Sequence, residues 1–254
     1  MIFDLFKLDG KVALVTGAGQ GLGQGMAIAL AEAGADIASL DRIGCEATCD
    51  SVRTLGRRYH ESVVDLREAS VADLNIVVAQ IVKEFGHIDI LVNNAGTIRR
   101  TPAIDFSETD WDDVLQIDLK AAFFLSQAVG RVMISQRSGK IINIVSMLSF
   151  QGGITVPSYT AAKSGLAGIT RALANEWAKH GINVNAIAPG YMATDNTTAL
   201  RADPNRSKSI LERIPASRWG MPDDLKGAVV FLASSASDYV HGAILPVDGG
   251  WLTR

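Results

Sequence analysis

Short runs of β-branched and aliphatic residues alternate along this chain with longer stretches whose apolar positions recur every three or four residues. That alternation predicts parallel strands joined by crossover helices. Seven strand-like runs stand out, at residues 12–15, 36–40, 60–64, 90–92, 140–145, 183–188 and 243–247. Several are nearly continuous in apolar residues, as strands covered on both faces should be. The span 107–135 reads as one long helix, with Ser107 as its N-cap and Asp110 three residues on. Its apolar positions, among them Trp111, Val114, Leu115, Leu119, Phe123 and Val129, wrap wider than a single stripe, so this helix must bury more than one face. From about 190 to 213 the pattern breaks into polar residues and prolines, which predicts a mobile substrate lid. The expectation is an α/β fold: one domain over residues 1–254, a doubly wound parallel sheet with helices on both faces, and no repeat or linker.

Composition narrows the class of partner. Of 254 residues, 48% are hydrophobic and 20% charged, which suits a filled core. A net charge of -3 gives no electrostatic reason for nucleic acid or an anionic membrane as partner, so a small-molecule substrate fits better. No apolar run reaches transmembrane length, and Asp4 near the start leaves no room for a charged leader with a long apolar stretch. Cys45 and Cys49 are too few for a disulfide framework and point to a reducing, cytoplasmic setting. The four histidines, His60, His87, His180 and His241, lack metal-ligand spacing, and no metal site is expected.

The first strand runs into Gly17, Ala18, Gly19, Gln20, Gly21, Leu22 and Gly23, with a helical pattern directly after. Glycines there let the backbone turn sharply and approach a pyrophosphate, whose charge the helix N-terminus favours. The second strand ends at Asp41, where a carboxylate can accept from adenosine ribose hydroxyls and repel a 2′-phosphate. That favours NAD over NADP, although Arg42 follows at once and can accommodate the phosphate instead. Asp65 and Leu66 close the third strand, at a place suited to adenine or to an ordinary helix cap. Asn93, Asn94, Ala95 and Gly96 follow the fourth at the carboxyl edge, where open α/β sheets bind ligands; a plain Asx turn is the competing view.

Ser146 stands at the end of the fifth strand, and Tyr159 and Lys163 lie four residues apart in a helical stretch, so they share a face. A phenol titrates near 10 and is a poor base at neutrality, but a nearby ammonium stabilises the phenolate. Tyr159 can then move a proton while Ser146 holds the substrate oxygen. An isolated Tyr-x-x-x-Lys occurs often by chance; the ordered combination with the glycine turn, the Asn-Asn-Ala-Gly turn and the serine does not.

Together these residues resemble the short-chain dehydrogenase/reductase family over essentially the whole chain. The resemblance implies a seven-stranded Rossmann sheet, contact between Lys163 and the nicotinamide ribose, and a nicotinamide end seated by Pro189, Gly190, Met192 and Thr194. It also implies a homotetramer with the 107–135 helix and the Tyr159 helix packed between subunits. One departure is visible: where the family places asparagine as a fourth catalytic member, this chain has Asp118. An aspartate there can serve the same relay or, by pairing with Lys163, weaken its effect on Tyr159.

Residues 93–100 (NNAGTIRR), 146–159, 175–195 and 239–254 resemble the branch of that family acting on sugar acids of uronate breakdown, which implies a deoxy sugar acid as substrate. Arg99 and Arg100 are candidates to hold its carboxylate, since arginine binds carboxylates bidentately, though both could equally be surface or subunit-contact cations. Gln151 can bond a sugar hydroxyl or face solvent. An oxoacyl-thioester or polyol reductase, and a non-catalytic cofactor sensor, are the alternative readings.

Overall fold

A computed structural model describes all 254 residues of the protein. The central strands form because β-branched and aliphatic residues dominate them, interrupted in β5 and β6 only by the buried asparagines Asn143, Asn183 and Asn185. β1 (Val12–Thr16), β4 (Ile90–Asn93) and β6 (Ile182–Pro189) are buried at every position. With β2 (Asp36–Asp41), β3 (Tyr59–Val63), β5 (Gly139–Ile144) and β7 (Ile244–Val247) they make one parallel sheet in the order β3-β2-β1-β4-β5-β6-β7. The chain leaves β1 to one side for β2 and β3, then returns to the other side of β1 for β4. The crevice at the carboxyl ends of β1 and β4 is therefore the switch point where such sheets bind ligands.

Alternation along β1 shows how the two layers are built. Val12 and Leu14 pack under α3 (Val71–Phe85), α5 (Ala122–Gln136) and α6 (Pro157–Trp177), whereas Ala13 and Val15 pack under α1 (Gly21–Glu32) and α9 (Lys226–Ala233). Helix starts follow local chemistry. Ser70 and Asp73 form a reciprocal capping box at α3, and Gly86, at φ +90°, ends that helix in the left-handed conformation. Helix α2 (Glu46–Thr54) covers the β2–β3 side. No helix is long and apolar enough to cross a membrane.

The expected helix over 107–135 is present but not uniform. α4 (Glu108–Leu115) starts at Ser107, whose hydroxyl accepts the Asp110 N–H, and residues Gln116–Ala121 form a π-helical turn before α5 begins. A π turn widens the helix by one residue and turns its side chains out of the regular register. Asp118 lies at the centre of that turn and is buried. The stretch in which a lid is expected contains two short helices, α7 (Thr198–Ala202) and α8 (Pro204–Arg213). Asp203 caps α8 by accepting from the backbone N–H groups of Asn205 and Arg206, and Pro204 takes the first helical position, where its missing N–H costs nothing.

Candidate active site

The carboxyl edge of the sheet opens into a cavity of about 960 Å³ that runs from the glycine turn to α8. At its first end Gly17 adopts φ +66°, and a β-carbon there would meet Asn94 Nδ2 at 2.9 Å. A β-carbon on Gly23 would lie 2.0 Å from the Gly17 carbonyl, so only glycine lets α1 start this close to β1. The Asn93-to-Gly96 turn is fastened to that loop: Asn94 Nδ2 donates to the Thr16 and Gly17 carbonyls at 2.9 and 3.2 Å. The Asn94 and Ala95 N–H groups donate to Thr16 Oγ1, both at 2.9 Å. The turn is a clamp across the switch point and more than a local Asx turn.

Asp41 lines the same cavity, with Oδ2 accepting from the Gly19 N–H at 2.9 Å and Oδ1 from the Arg42 N–H at 2.7 Å. Arg42, Asp65 and Leu66 line it too, and Asp65 Oδ1 accepts from the Arg67 N–H at 2.9 Å. Gln20, Gly21, Leu22, Ala95, Gly96, Pro189, Gly190, Met192 and Thr194 complete the expected cofactor wall. Gly19 supports that wall from behind: a β-carbon on it would meet Asp41 Oδ2 at 3.1 Å and Cys45 Sγ at 3.3 Å.

Ser146, Tyr159 and Lys163 line the middle of the cavity together. Ser146 is buried at the end of β5, where its Oγ accepts the Leu148 N–H at 3.1 Å. Lys163 is 3% exposed; its Nζ donates to the Ile144 carbonyl at 2.9 Å and lies 5.5 Å from the centre of the Tyr159 ring. On its other side Lys163 Nζ stands 3.2 Å from Asp118 Oδ2, and Asp118 Oδ1 accepts the Thr97 N–H at 2.7 Å. Gly96 makes room for this pair, because a β-carbon there would meet Asp118 Oδ2 at 2.8 Å.

Burial raises the Tyr159 phenol above its ordinary value; the Lys163 ammonium opposes that rise and the Asp118 carboxylate adds to it. Burial would push Lys163 down, but the charges of Asp118 and Tyr159 overcome it and hold the ammonium. Burial raises Asp118 as well, against the pull of the Lys163 ammonium and the Thr97 N–H, and the ammonium is shared between the phenol and this carboxyl group rather than given to the phenol alone.

Besides Gly19, two expected residues stand off the cavity wall. Asn93 is 3% exposed and off the cavity wall, because its amide donates to Ser126 Oγ at 2.9 Å and to Asn143 Oδ1 at 2.8 Å. Asn143 continues that buried chain to Thr170 Oγ1 at 2.9 Å, tying β4, β5, α5 and α6 behind the site. An asparagine inside the apolar run of residues 141–145 was the signal for it. Arg99 is not on the wall either; its Nε and Nη2 donate to Asp110 and Asp113 of α4, each at 3.1 Å. Arg100 and Gln151 do line the cavity, and Arg100 Nη2 donates to the Asn196 carbonyl at 3.3 Å. Arg206 and Arg213 of α8 line it as well, two cations that the strand and turn motifs did not single out. Their seven-residue spacing in a helical stretch was the available signal.

A family model described as enoyl-(acyl carrier protein) reductase matches residues 17–252. The 2-dehydro-3-deoxy-D-gluconate 5-dehydrogenase of Escherichia coli K12 is 60% identical over 255 residues, covering 100% of each chain. The enzyme of that name from Dickeya dadantii 3937 is 60% identical over the same span, again covering 100% of each. Among solved structures, a gluconate 5-dehydrogenase from Burkholderia cenocepacia J2315 in complex with NADP and tartrate is 40% identical, covers 100% of each chain and superposes with a TM-score of 0.95.

Proposed function

The chain belongs to the short-chain dehydrogenase/reductase family of NAD(P)-dependent oxidoreductases acting on CH–OH groups, and on that footing we propose that it interconverts a secondary alcohol and ketone of a deoxy sugar acid. The substrate is 2-dehydro-3-deoxy-D-gluconate or 2-deoxy-D-gluconate. One observation carries the reading: a single cavity joins the glycine turn, the Ser146, Tyr159 and Lys163 side chains, and an arginine-bearing far wall suited to a carboxylate. The full-length identity to enzymes named for such a substrate supports it.

The residues fit a dinucleotide. The turn at Gly17 and Gly23 is a cradle that a β-carbon would fill, and Gln20 and Gly21 bring the backbone to the start of α1. Asp41 and Arg42 would hold the adenosine ribose, and Pro189, Gly190, Met192 and Thr194 the opposite end. When bound, the nicotinamide supplies the acceptor or donor of a hydride. NAD is the favoured form, because the Asp41 carboxylate lies on the cavity wall and opposes a 2′-phosphate.

The protein's own groups handle the proton. In oxidation, Ser146 Oγ holds the substrate hydroxyl while Tyr159 Oη takes its proton, and in reduction the same oxygen returns it. Lys163 stabilises the phenolate formed on Tyr159, and Asp118 holds Lys163 in place with its charge. The residues from about 190 to 213 close over the substrate as a lid. The molecule works as a homotetramer in the cytoplasm, a setting in which the two unpaired cysteines stay reduced.

The test is a screen by nicotinamide absorbance with NAD and NADP against deoxy sugar acids, aldonates, polyols and acyl thioesters. Turnover is expected on deoxy sugar acids with NAD as the better cofactor. Turnover confined to acyl thioesters with NADPH would overturn the assignment.

A further inference from the structure

Arg213 brings to the cavity a positive charge that no carboxylate of the protein neutralises, and we propose that it anchors the substrate's carboxylate, selecting acids over neutral polyols. This inference rests on the sugar-acid reading above and names the residue that enforces it. Helix α8 presents Arg206, Ser209, Ile210 and Arg213 to the cavity, the i, i+3, i+4, i+7 spacing of one helical face.

The guanidinium is held by neutral groups. It lies 4.0 Å above the ring of Trp251, and its Nη2 donates to Gln151 Oε1 at 3.1 Å. Trp251 is 5% exposed and packs with Ile210 and Ile214 in a small apolar cluster, so the ring beneath the guanidinium is fixed against the helix. Arg254 fastens the last turn of α8 by donating to the carbonyls of Arg213 and Glu212 at 3.2 and 2.7 Å. One N–H of the fork is thus used by an uncharged acceptor, and the remaining donors keep their capacity for a bidentate carboxylate.

Of the neighbouring arginines, Arg100 also lines the cavity with a neutral partner, the Asn196 carbonyl at 3.3 Å, but no aromatic ring lies beneath its guanidinium. Arg99 is spent between Asp110 and Asp113. Arg206 makes no hydrogen bond with its side chain and must lose its rotamer freedom on binding, which a stacked arginine has already given up. Gln151, beyond the loop that follows Ser146, ties Arg213 to the reacting end, so an acid held at Arg213 has its hydroxyl-bearing carbons directed along the cavity toward Ser146 and Tyr159.

The experiment compares wild type, Arg213→Met, Arg213→Lys and Arg206→Met on 2-deoxy-D-gluconate and on neutral 2-deoxy-D-glucitol, with nucleotide binding followed by fluorescence as the check of folding. Arg213→Met is expected to raise the acid-to-polyol KM ratio about 10- to 100-fold, the worth of a hydrogen-bonded charge pair, with the smaller change in kcat. Arg213→Lys should recover part of that ratio, and Arg206→Met should alter it less than Arg213→Met does. An Arg213→Met ratio equal to that of wild type, in a variant that still binds nucleotide, would overturn the anchor alone. A wild-type protein that turns over no acid would overturn the functional reading, and the anchor with it.

Discussion

Tyr159 shows most directly what single side chains contribute. If its hydroxyl carries the proton, Tyr159→Phe should lower turnover by about a hundredfold or more, because positioned proton transfer contributes that much. Initial rates at saturating substrate measure it, and near-normal turnover would remove the central mechanistic assignment. Asp118 invites a different measurement. Its carboxylate raises the Tyr159 phenol and competes for the same ammonium. The base must be deprotonated for oxidation, so the rate climbs as pH rises through its pKa. Replacing the charge in Asp118→Asn lowers that pKa and should move the climbing limb of the oxidation kcat/KM profile to lower pH. A limb that stays in place would mean Asp118 acts on position alone. Ser146, Tyr159 and Lys163 were legible beforehand because a strand end and one helical turn fix their relation locally. Arg99 was not: it is consumed by two aspartates on a helix that starts nine residues later, and its spacing from the turn gives no hint of that contact.

Elements set these side chains, and the α1 start is the clearest case. A methyl group at position 23 has no place to go, since the Gly17 carbonyl would stand 2.0 Å away and belongs to the backbone. Gly23→Ala should therefore cost about 1–3 kcal/mol of stability, the range for overpacking, and weaken dinucleotide binding as the turn is pushed open. Urea unfolding and fluorescence titration with NAD measure the two effects; a stable variant that binds as wild type would show that the turn tolerates expansion. The strands were readable to within a residue or two, because continuous apolar runs leave little freedom when both faces are covered. The interruption of the long helix at Gln116–Ala121 was not readable, since the apolar positions on either side of it remain compatible with one regular helix. The two helices of the lid were hidden for another reason. Residues 196–213 are mostly polar, so local caps such as Asp203 and the small cluster around Ile210 and Trp251 organise them, and long-range contacts do not appear in a periodicity.

At the scale of the whole molecule, the proposed assembly makes its own forecast. Trp111, on α4, keeps 39% of its surface exposed, and the α4–α5 and α6 helices are the expected subunit faces. Light scattering on the purified protein should give the mass of four chains; the mass of one chain at working concentration would rule the assembly out. The π-helical turn carries a consequence for the molecule's history. A helix with an extra residue in one turn sits one deletion from a regular α-helix, and that deletion would leave α4 and α5 in phase while changing the local backbone that carries Asp118. Selection for heat resistance alone and selection for growth on the substrate should then act on the same six residues in opposite directions. A laboratory lineage evolved only for thermal survival is expected to lose the irregular turn, while one maintained by its metabolism keeps it.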